Sequence, residues 1–470
     1  MPAPLPQSPA RPFPARHCAP VFLLSLAVGL AVAEDRPPAR AVRPAYQVLR
    51  FEENWDVLRG RPADDMLDPL KFIALGDASR AWLSLGGQAR WRWETWRNFA
   101  FGTPAAPEDD FGLGRIQLHA DLRFGSTARF FAELIDARML GRRALPGGTR
   151  AADVNSRELL NAFADFSTTI DARRLTLRLG RQQFSFGRQR LVSPLPWLNT
   201  YRHWDGAAGL CESPAARATV FYSWFVPVQK YATDRRNRHE RFYGTYVTFR
   251  RSTELYLLVR DRPVAQDRRQ TFGFRRTGRP AGNWEFDLEA AIQRGSLAGK
   301  PVRAWMLGSE LGYTAARLAW KPRFAAGFDY ASGDENPTDR RIGTFDQLYP
   351  LGHAFLGYVD LVGRQNISAW NASLELKPAK GMRLQLVAHR FTRAEAADAL
   401  YDAGAVVVRP AGAGLSRTIG SEIDLTVYYA FDAHWNFEAG LNRFFAGSFV
   451  RQTGRSDAVA FAYAQALYRF

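Results

Sequence analysis

From Ala81 to the C-terminus the chain alternates apolar and polar residues with a period of two, the pattern of strands that show one face to an apolar phase and the other to a polar one. In 82–95, Leu83, Leu85, Ala89, Trp91 and Trp93 oppose Ser84, Gln88, Arg90, Arg92 and Glu94. In 115–124, Ile116, Leu118, Ala120, Leu122 and Phe124 oppose Arg115, Gln117, His119, Asp121 and Arg123. The division recurs at 174–179, where Leu175, Leu177 and Leu179 oppose Arg174, Thr176 and Arg178, and again at 284–293, 370–377, 422–429 and 435–442. Helical periodicity is almost absent. A soluble β-sandwich alternates too, so the character of the two faces has to separate the cases. Here the apolar faces carry aromatics near strand ends, as lipid and its interfaces require, and the other faces are densely ionic, as a water-filled lumen requires. The expected fold class is all-β, a transmembrane antiparallel β-barrel over 81–470. At about 10 residues per strand plus turns and loops, roughly 16 to 18 strands fit, and 18 is the expected number.

The two ends of the chain agree with this reading. Arg11 and Arg16 precede the apolar run Pro20 to Leu30, which is followed by Ala31-Val32-Ala33, so 1–33 has the order of a cleaved secretory signal peptide. That apolar run is short for a membrane helix. Cys18 leaves with the signal, and Cys211 then remains alone, which excludes an intrachain disulfide. Residues 34–80 are rich in proline and charge and have no clean period, so they are expected to form a periplasmic lead segment or partial plug. At the far end Phe470, Tyr468, Ala466, Ala464 and Ala462 share one face, so the last strand closes on an aromatic residue.

Charge narrows the function. The net charge is +17, of which 1–33 carry +2, 34–80 carry −1 and the β-rich remainder carries +16. Basic chains commonly bind nucleic acid. Export to the cell surface argues against that partner and favours acidic polysaccharides, small anions or the phosphates of outer-membrane lipid and lipopolysaccharide.

Several segments stand out as motifs: Arg50-Phe51-Glu52-Glu53-Asn54-Trp55, Leu179-Gly180-Arg181-Gln182 followed by 197–206 (WLNTYRHWDG), Thr271-Phe272-Gly273 leading to Glu289, His389-Arg390-Phe391 and Ala399 to Ala403. The most specific is 328–366, FDYASGDENPTDRRIGTFDQLYPLGHAFLGYVDLVGRQN. Together they resemble the alginate export family of outer-membrane barrels. The resemblance implies a monomeric 18-stranded outer-membrane barrel with an electropositive, arginine-lined pathway for an acidic polysaccharide, partly closed by a loop and a periplasmic turn. A final Phe also looks like the signal read by the barrel-assembly machinery, and an exporter implies periplasmic export components as further partners. The residues by themselves leave open a general or anion-selective porin and, in a different class, an outer-membrane enzyme or adhesin on the same scaffold.

Candidate pathway residues are the lumen-facing arginines Arg90, Arg92, Arg115, Arg123, Arg174 and Arg178. A ladder of planar guanidinium forks suits the carboxylates of a uronate chain. The same groups suit ion pairs with lumen acids such as Glu94, Asp121, Glu133 and Asp165, which would stiffen the wall instead. Gln117, on the same face, is expected to meet lumen water. Glu285, Asp287 and Glu289 form an acidic face on a later strand, so walls of opposite sign are expected to confront one another. Successive positions on one strand make a poor general acid/base pair, and no catalytic residues are assigned. The run Asp334 to Asp339 lacks the sixth-position glycine of a calcium loop, and Phe345 stands where its twelfth-position glutamate belongs. His119, His353 and His389 have no zinc spacing. No cofactor or metal is expected.

Overall fold

The computed structural model describes residues 43–77, 80–102, 108–141 and 149–470. The expected signal peptide, 1–33, lies outside them. Eighteen antiparallel strands close into one barrel. In chain order they are β1 Ala81–Arg97, β2 Glu108–Phe124, β3 Ala128–Leu140, β4 Asn155–Ile170, β5 Arg173–Gln182, β6 His203–Glu212, β7 Ala216–Val226, β8 Arg241–Phe249 and β9 Thr253–Arg262. Next come β10 Asp267–Gly278, β11 Trp284–Leu297, β12 Lys300–Thr314, β13 Arg323–Ala331, β14 Ile367–Leu376, β15 Met382–Arg393, β16 Thr418–Ala430, β17 Trp435–Ala446 and β18 Val459–Arg469. Each strand pairs with its sequence neighbours, and β1 pairs with β18.

Why these segments form a barrel and not a sandwich is visible on the outer wall. Ile116, Leu118, Leu134, Leu311 and Leu441 are all about half exposed. Such a continuous apolar band is an aggregation hazard in water and a requirement in lipid. Alternate residues of the same strands, among them Arg115, Asp121, Glu133 and Asn442, are buried on the inside. One end of the barrel carries short connections such as 125–127 and 171–172, whereas the other carries 183–202, 332–366 and 394–417. Outer-membrane barrels keep short turns toward the periplasm and long loops outside, which fixes the orientation.

An unclosed strand edge in lipid leaves backbone groups unpaired at high cost. The seam is therefore closed in two parts. Phe470 N donates to Gly87 O at 2.9 Å and Gly87 N donates back to Phe470 O at 2.8 Å. There the C-terminal strand ends, six residues short of the foot of β1 at Ala81, and the lead segment takes over the exposed edge. Lys71 Nζ donates to Leu85 O at 2.9 Å, the two-residue strand Ile73–Ala74 pairs with Leu83 and Trp82, and Leu75 N donates to Ala81 O. Buried Arg50, ion-paired to Glu53, donates to both Gly87 O and Phe470 O and so staples the junction between the two parts. The seam's two tiers come from opposite ends of the sequence.

Candidate functional site

The lumen has two unlike halves. Toward the short turns lies a vestibule, a cavity of about 850 Å³ between the lead segment and the walls of β1 to β8. Basic groups on it are Arg59, Arg123, Arg129, Arg174, Arg178 and Arg217, and acids are Glu52, Glu53, Asp56, Asp165 and Glu212. Arg178 bonds Asp165 through Nε at 2.7 Å and Nη2 at 2.8 Å, a bidentate pair. Arg123 and Arg129 share Asp121, at 2.9 and 2.7 Å. Arg217 reaches Glu212 at 2.9 Å yet keeps 68% of its side chain exposed. Arg174 is also exposed and donates to Ser167 Oγ at 3.4 Å. The vestibule thus mixes fixed pairs deep in the wall with two solvated guanidinium groups.

Toward the long loops the lumen is filled. Loop 183–202 and loop 332–366 fold inward and join by a short parallel bridge, Val192 to Tyr349. Tyr349 N donates to Leu191 O and Ser193 N to Tyr349 O, both at 2.9 Å. Phe184, Leu191, Val192, Phe345, Leu348, Tyr349, Phe355 and Val359 from these loops are buried against wall residues Trp204, Phe221, Phe242, Tyr246 and Tyr256 in one apolar cluster. A plug of this kind is packed like a protein interior and not like a solvated channel.

Three of the six candidate arginines belong to this plug. Arg90 donates to Trp197 O and Leu198 O, both at 2.9 Å, to Pro196 O at 3.1 Å and to Asn199 Oδ1 at 3.1 Å. Arg115 donates to Leu198 O at 2.8 Å. Arg92 donates to Trp197 O at 2.6 Å, pairs with Glu94 at 3.1 Å, and lies 3.9 Å over the Trp197 ring. These groups clamp one carbonyl-rich turn of loop 183–202 onto β1 and β2. Carbonyl oxygens satisfy a guanidinium as well as carboxylates do geometrically, and none is visible in a pattern of side chains. The other three, Arg123, Arg174 and Arg178, line the vestibule. Gln117 is 2% exposed and donates to Glu133 at 3.1 Å, so it belongs to a buried network and does not meet bulk water.

The acidic wall does confront positive charge. Arg190, from loop 183–202, meets Asp287, Glu289 at 3.2 Å and Asp329 at 3.7 Å, while Arg364 from loop 332–366 also pairs with Asp329. Glu285 is held by Arg323 at 2.5 Å, at the short-turn end of β13. Loop acids are fixed in the same way. Asp346 pairs with Arg260 and bonds Leu348 N at 2.8 Å; burial pushes its carboxyl up, but Arg260 and Arg269 hold it below the usual range. Asp360 has no such compensation: desolvation, opposed by Arg150 and reinforced by Asp402, Glu94 and Asp424, pushes it up to about 8. His353 stacks 4.5 Å from Trp197, and burial beside Arg92 lowers it to about 3, so it stays neutral. Gly357 ends the short helix His353–Leu356 at φ 90°, where a side chain would overlap Glu422. In the 334–339 run, Asn336 N donates to Asp334 and Thr338 N to Asn336, which are Asx turns. Among the described residues, no three His, Cys, Asp or Glu side chains converge to hold a metal.

The family model for alginate export matches residues 81–463. The chain belongs to the alginate export family. No curated protein matches it. Among solved structures, a BenF-like porin from Pseudomonas fluorescens Pf-5 superposes with a TM-score of 0.58 at 12% identity, covering 83% of this chain and 98% of that one. Pseudomonas aeruginosa OccK2 (OpdF), solved in complex with glucuronate, gives 0.54 at 12% identity, covering 82% and 98%. OccK11 (OpdR) from the same organism gives 0.51 at 14%, covering 83% and 96%. These likenesses establish a shared porin fold. Family and fold together make this alginate export family member an outer-membrane channel.

Sequence reasoning passed over Arg129, Arg217, Arg190, Arg364 and Asp346. Arg217 stands on the lumen face of β7 with Phe221 above it, while Val220 and Tyr222 face lipid, so both faces look apolar and the alternation blurs. Arg190, Arg364 and Asp346 sit in loops, where periodicity carries no signal. For Arg364 and Asp346 the 328–366 motif was the one sign; Arg190 lies outside it.

Proposed function

We propose that this channel exports an anionic polysaccharide of the polyuronate type, which enters the vestibule from the periplasm and leaves past the loop plug. The observation that carries the reading is the vestibule itself: a wide basic cavity on the short-turn side, with Arg174 and Arg217 solvated and the deeper Arg123, Arg129 and Arg178 already paired. A carboxylate that meets a solvated guanidinium gains attraction without a large desolvation cost. Interspersed acids keep each contact weak, so a chain of uronates can pass from one arginine to the next without being trapped. The plug lies at the far end of that path, where loops 183–202 and 332–366 must part to let the polymer out. In this reading polysaccharide-export components feed the vestibule from the periplasm, and the barrel-assembly machinery reads the terminal strand ending at Phe470.

A second reading is an anion-selective porin for small solutes. It is favoured by the fold shared with OccK2, whose structure was solved with glucuronate, a single uronate unit. Planar-bilayer recordings with oligouronates of increasing length, added on the short-turn side, discriminate the two. Block that strengthens with chain length supports the polymer pathway. Block that is independent of length, or strongest for the monomer, refutes it in favour of the small-solute porin.

A further inference from the structure

The outer wall carries a feature that a channel does not need. Arg294 on β11 and Arg303 on β12 are directly opposite in register, and both are exposed on the lipid-facing side. Like charges directly opposite on neighbouring strands repel and weaken a sheet unless something lies between them. Among the described residues neither forms an ion pair; Arg294 Nη1 donates to the backbone of its neighbour, Gln293 O, at 3.0 Å. On the next strand Gln270 faces Arg294, and Arg268 stands two positions further along β10. Arg268 donates to Tyr243 Oη at 3.3 Å and is opposite Asp261, which pairs with Arg241 at 3.0 Å. The patch therefore sets four arginines against one aspartate.

Its height on the barrel is informative. Descending from the arginines, the outward faces of β11 and β12 are Ile292, Leu288 and Trp284, and Trp305, Leu311 and Tyr313. Trp305 stacks on Tyr330 with ring centroids 4.3 Å apart, and Trp284 meets Tyr313 at 5.0 Å. These are the upper and lower aromatic girdles. From Trp284 to Arg294, a rise of about 3.3 Å per residue on a strand tilted by about 40° gives roughly 25 Å, the height of the apolar band. The guanidinium groups thus begin where hydrocarbon ends, on the long-loop side.

We infer that Arg294 and Arg303, with Arg268 beside them, bind the phosphate of a phosphorylated lipid headgroup in the outer leaflet. Opposite residues on adjacent strands are about 5 Å apart, a spacing at which two guanidinium forks can share the oxygens of one phosphate group. The acyl chains of the same lipid then lie along Ile292, Leu288 and Leu311. This site is independent of what passes through the lumen.

The test uses the full-length barrel in detergent with diphosphorylated lipid A, the same lipid after dephosphorylation, or inorganic phosphate, and retained lipid is read by native mass spectrometry. The expected result is about 10-fold tighter retention of the diphosphorylated lipid. R294Q/R303Q should lose that preference, R294K/R303K should keep much of it, and R276Q, outward-facing at the short-turn end, should leave it unchanged. Equal retention of both lipids by the unaltered barrel overturns the inference, as does an undiminished preference in R294Q/R303Q. Displacement of the lipid by inorganic phosphate at equal concentration also overturns it, because the site would then be an anion site indifferent to lipid.

Discussion

The two halves of the lumen are built from similar residue types and behave in opposite ways. In the vestibule, arginines and acids line open space, and Arg174 and Arg217 stay in water. In the plug, Arg90, Arg92, Arg115, Arg190 and Arg364 are buried to 3% exposure or less, among apolar loops. An arginine in water is free to meet a mobile anion. An arginine in a dry interior must be satisfied permanently, and removing its partner leaves an uncompensated charge. The lesson is that a lumen-facing arginine is not by itself a pathway residue; what surrounds it decides whether it guides solute or holds structure.

The sharpest way to break this comparison is to unpair the plug. Asp346→Ala removes the main partner of buried Arg260, which keeps only the longer contact to Asp267 at 3.8 Å, while Arg269 keeps Asp267 at 2.9 Å. The loss beneath loop 332–366 should cost the plug up to about 3–5 kcal/mol, while the strand ladder remains intact. The expected outcome is faster proteolysis of loop 332–366 and higher conductance at unchanged heat-modifiable mobility. If the loop stays protected, the plug does not depend on that pair.

Acidity offers a second lever. Asp360 is raised from its ordinary 3.8 to about 8 when docked. Between those values the docked loop holds a proton that the undocked loop has lost, so docking should be tightest near pH 4 and weaken steadily until about pH 8. Open probability in bilayers should therefore rise from pH 5 to pH 8, and Asp360→Asn should flatten the rise. A rise that persists in the Asn variant assigns the effect to another group.

The vestibule should answer differently. Replacing Arg174 and Arg217 jointly by Gln should change stability by no more than about 0.5 kcal/mol, because both are exposed. It should nonetheless reduce anion preference and oligouronate block, by more at low salt than at physiological strength, where screening acts beyond about 8 Å. Reversal-potential measurements at two ionic strengths check this. A selectivity left intact would move the discriminating charge up into the plug.

The smallest effect concerns the seat of the lead segment on β1. Lys71, caged near Tyr46 and Trp55, has its ammonium lowered from 10.5 to about 7, chiefly by burial and then by Arg50. An undocked lead segment binds this proton more readily, so docking should strengthen as pH rises from about 7 to about 10, and Lys71→Met should remove the trend. Protease sensitivity of 43–77 across that interval reports it.

How much of this was legible follows from the environment of each strand. The outward and inward faces of β1, β2, β5, β11, β14, β16 and β17 were readable, because lipid lies on one side and polar groups on the other. On β7 to β9 the inward residues Phe221, Phe242, Tyr246, Tyr256 and Leu258 pack on the plug, so both faces are apolar and the period fades. The surroundings of the six arginines singled out divide them three and three, with Arg90, Arg92 and Arg115 on the plug and Arg123, Arg174 and Arg178 on the vestibule. Nothing local to Arg115 distinguishes it from Arg123: both alternate with Ile116, Leu118 and Leu122 on one strand, and one meets loop carbonyls while the other faces the vestibule.

The sequence by itself determined the barrel, its strand number, its two faces and its family, because these depend on periodicity and on a long motif, both of which are properties of consecutive residues. The tertiary structure decided where the lumen is dry. That depends on how far loops 183–202 and 332–366 reach inward and on which carbonyls they offer to Arg90 and Arg115, and such contacts join residues about a hundred positions apart. It also decided that the lead segment finishes the seam that Phe470 begins, since a strand edge becomes unpaired only after the barrel has closed around it.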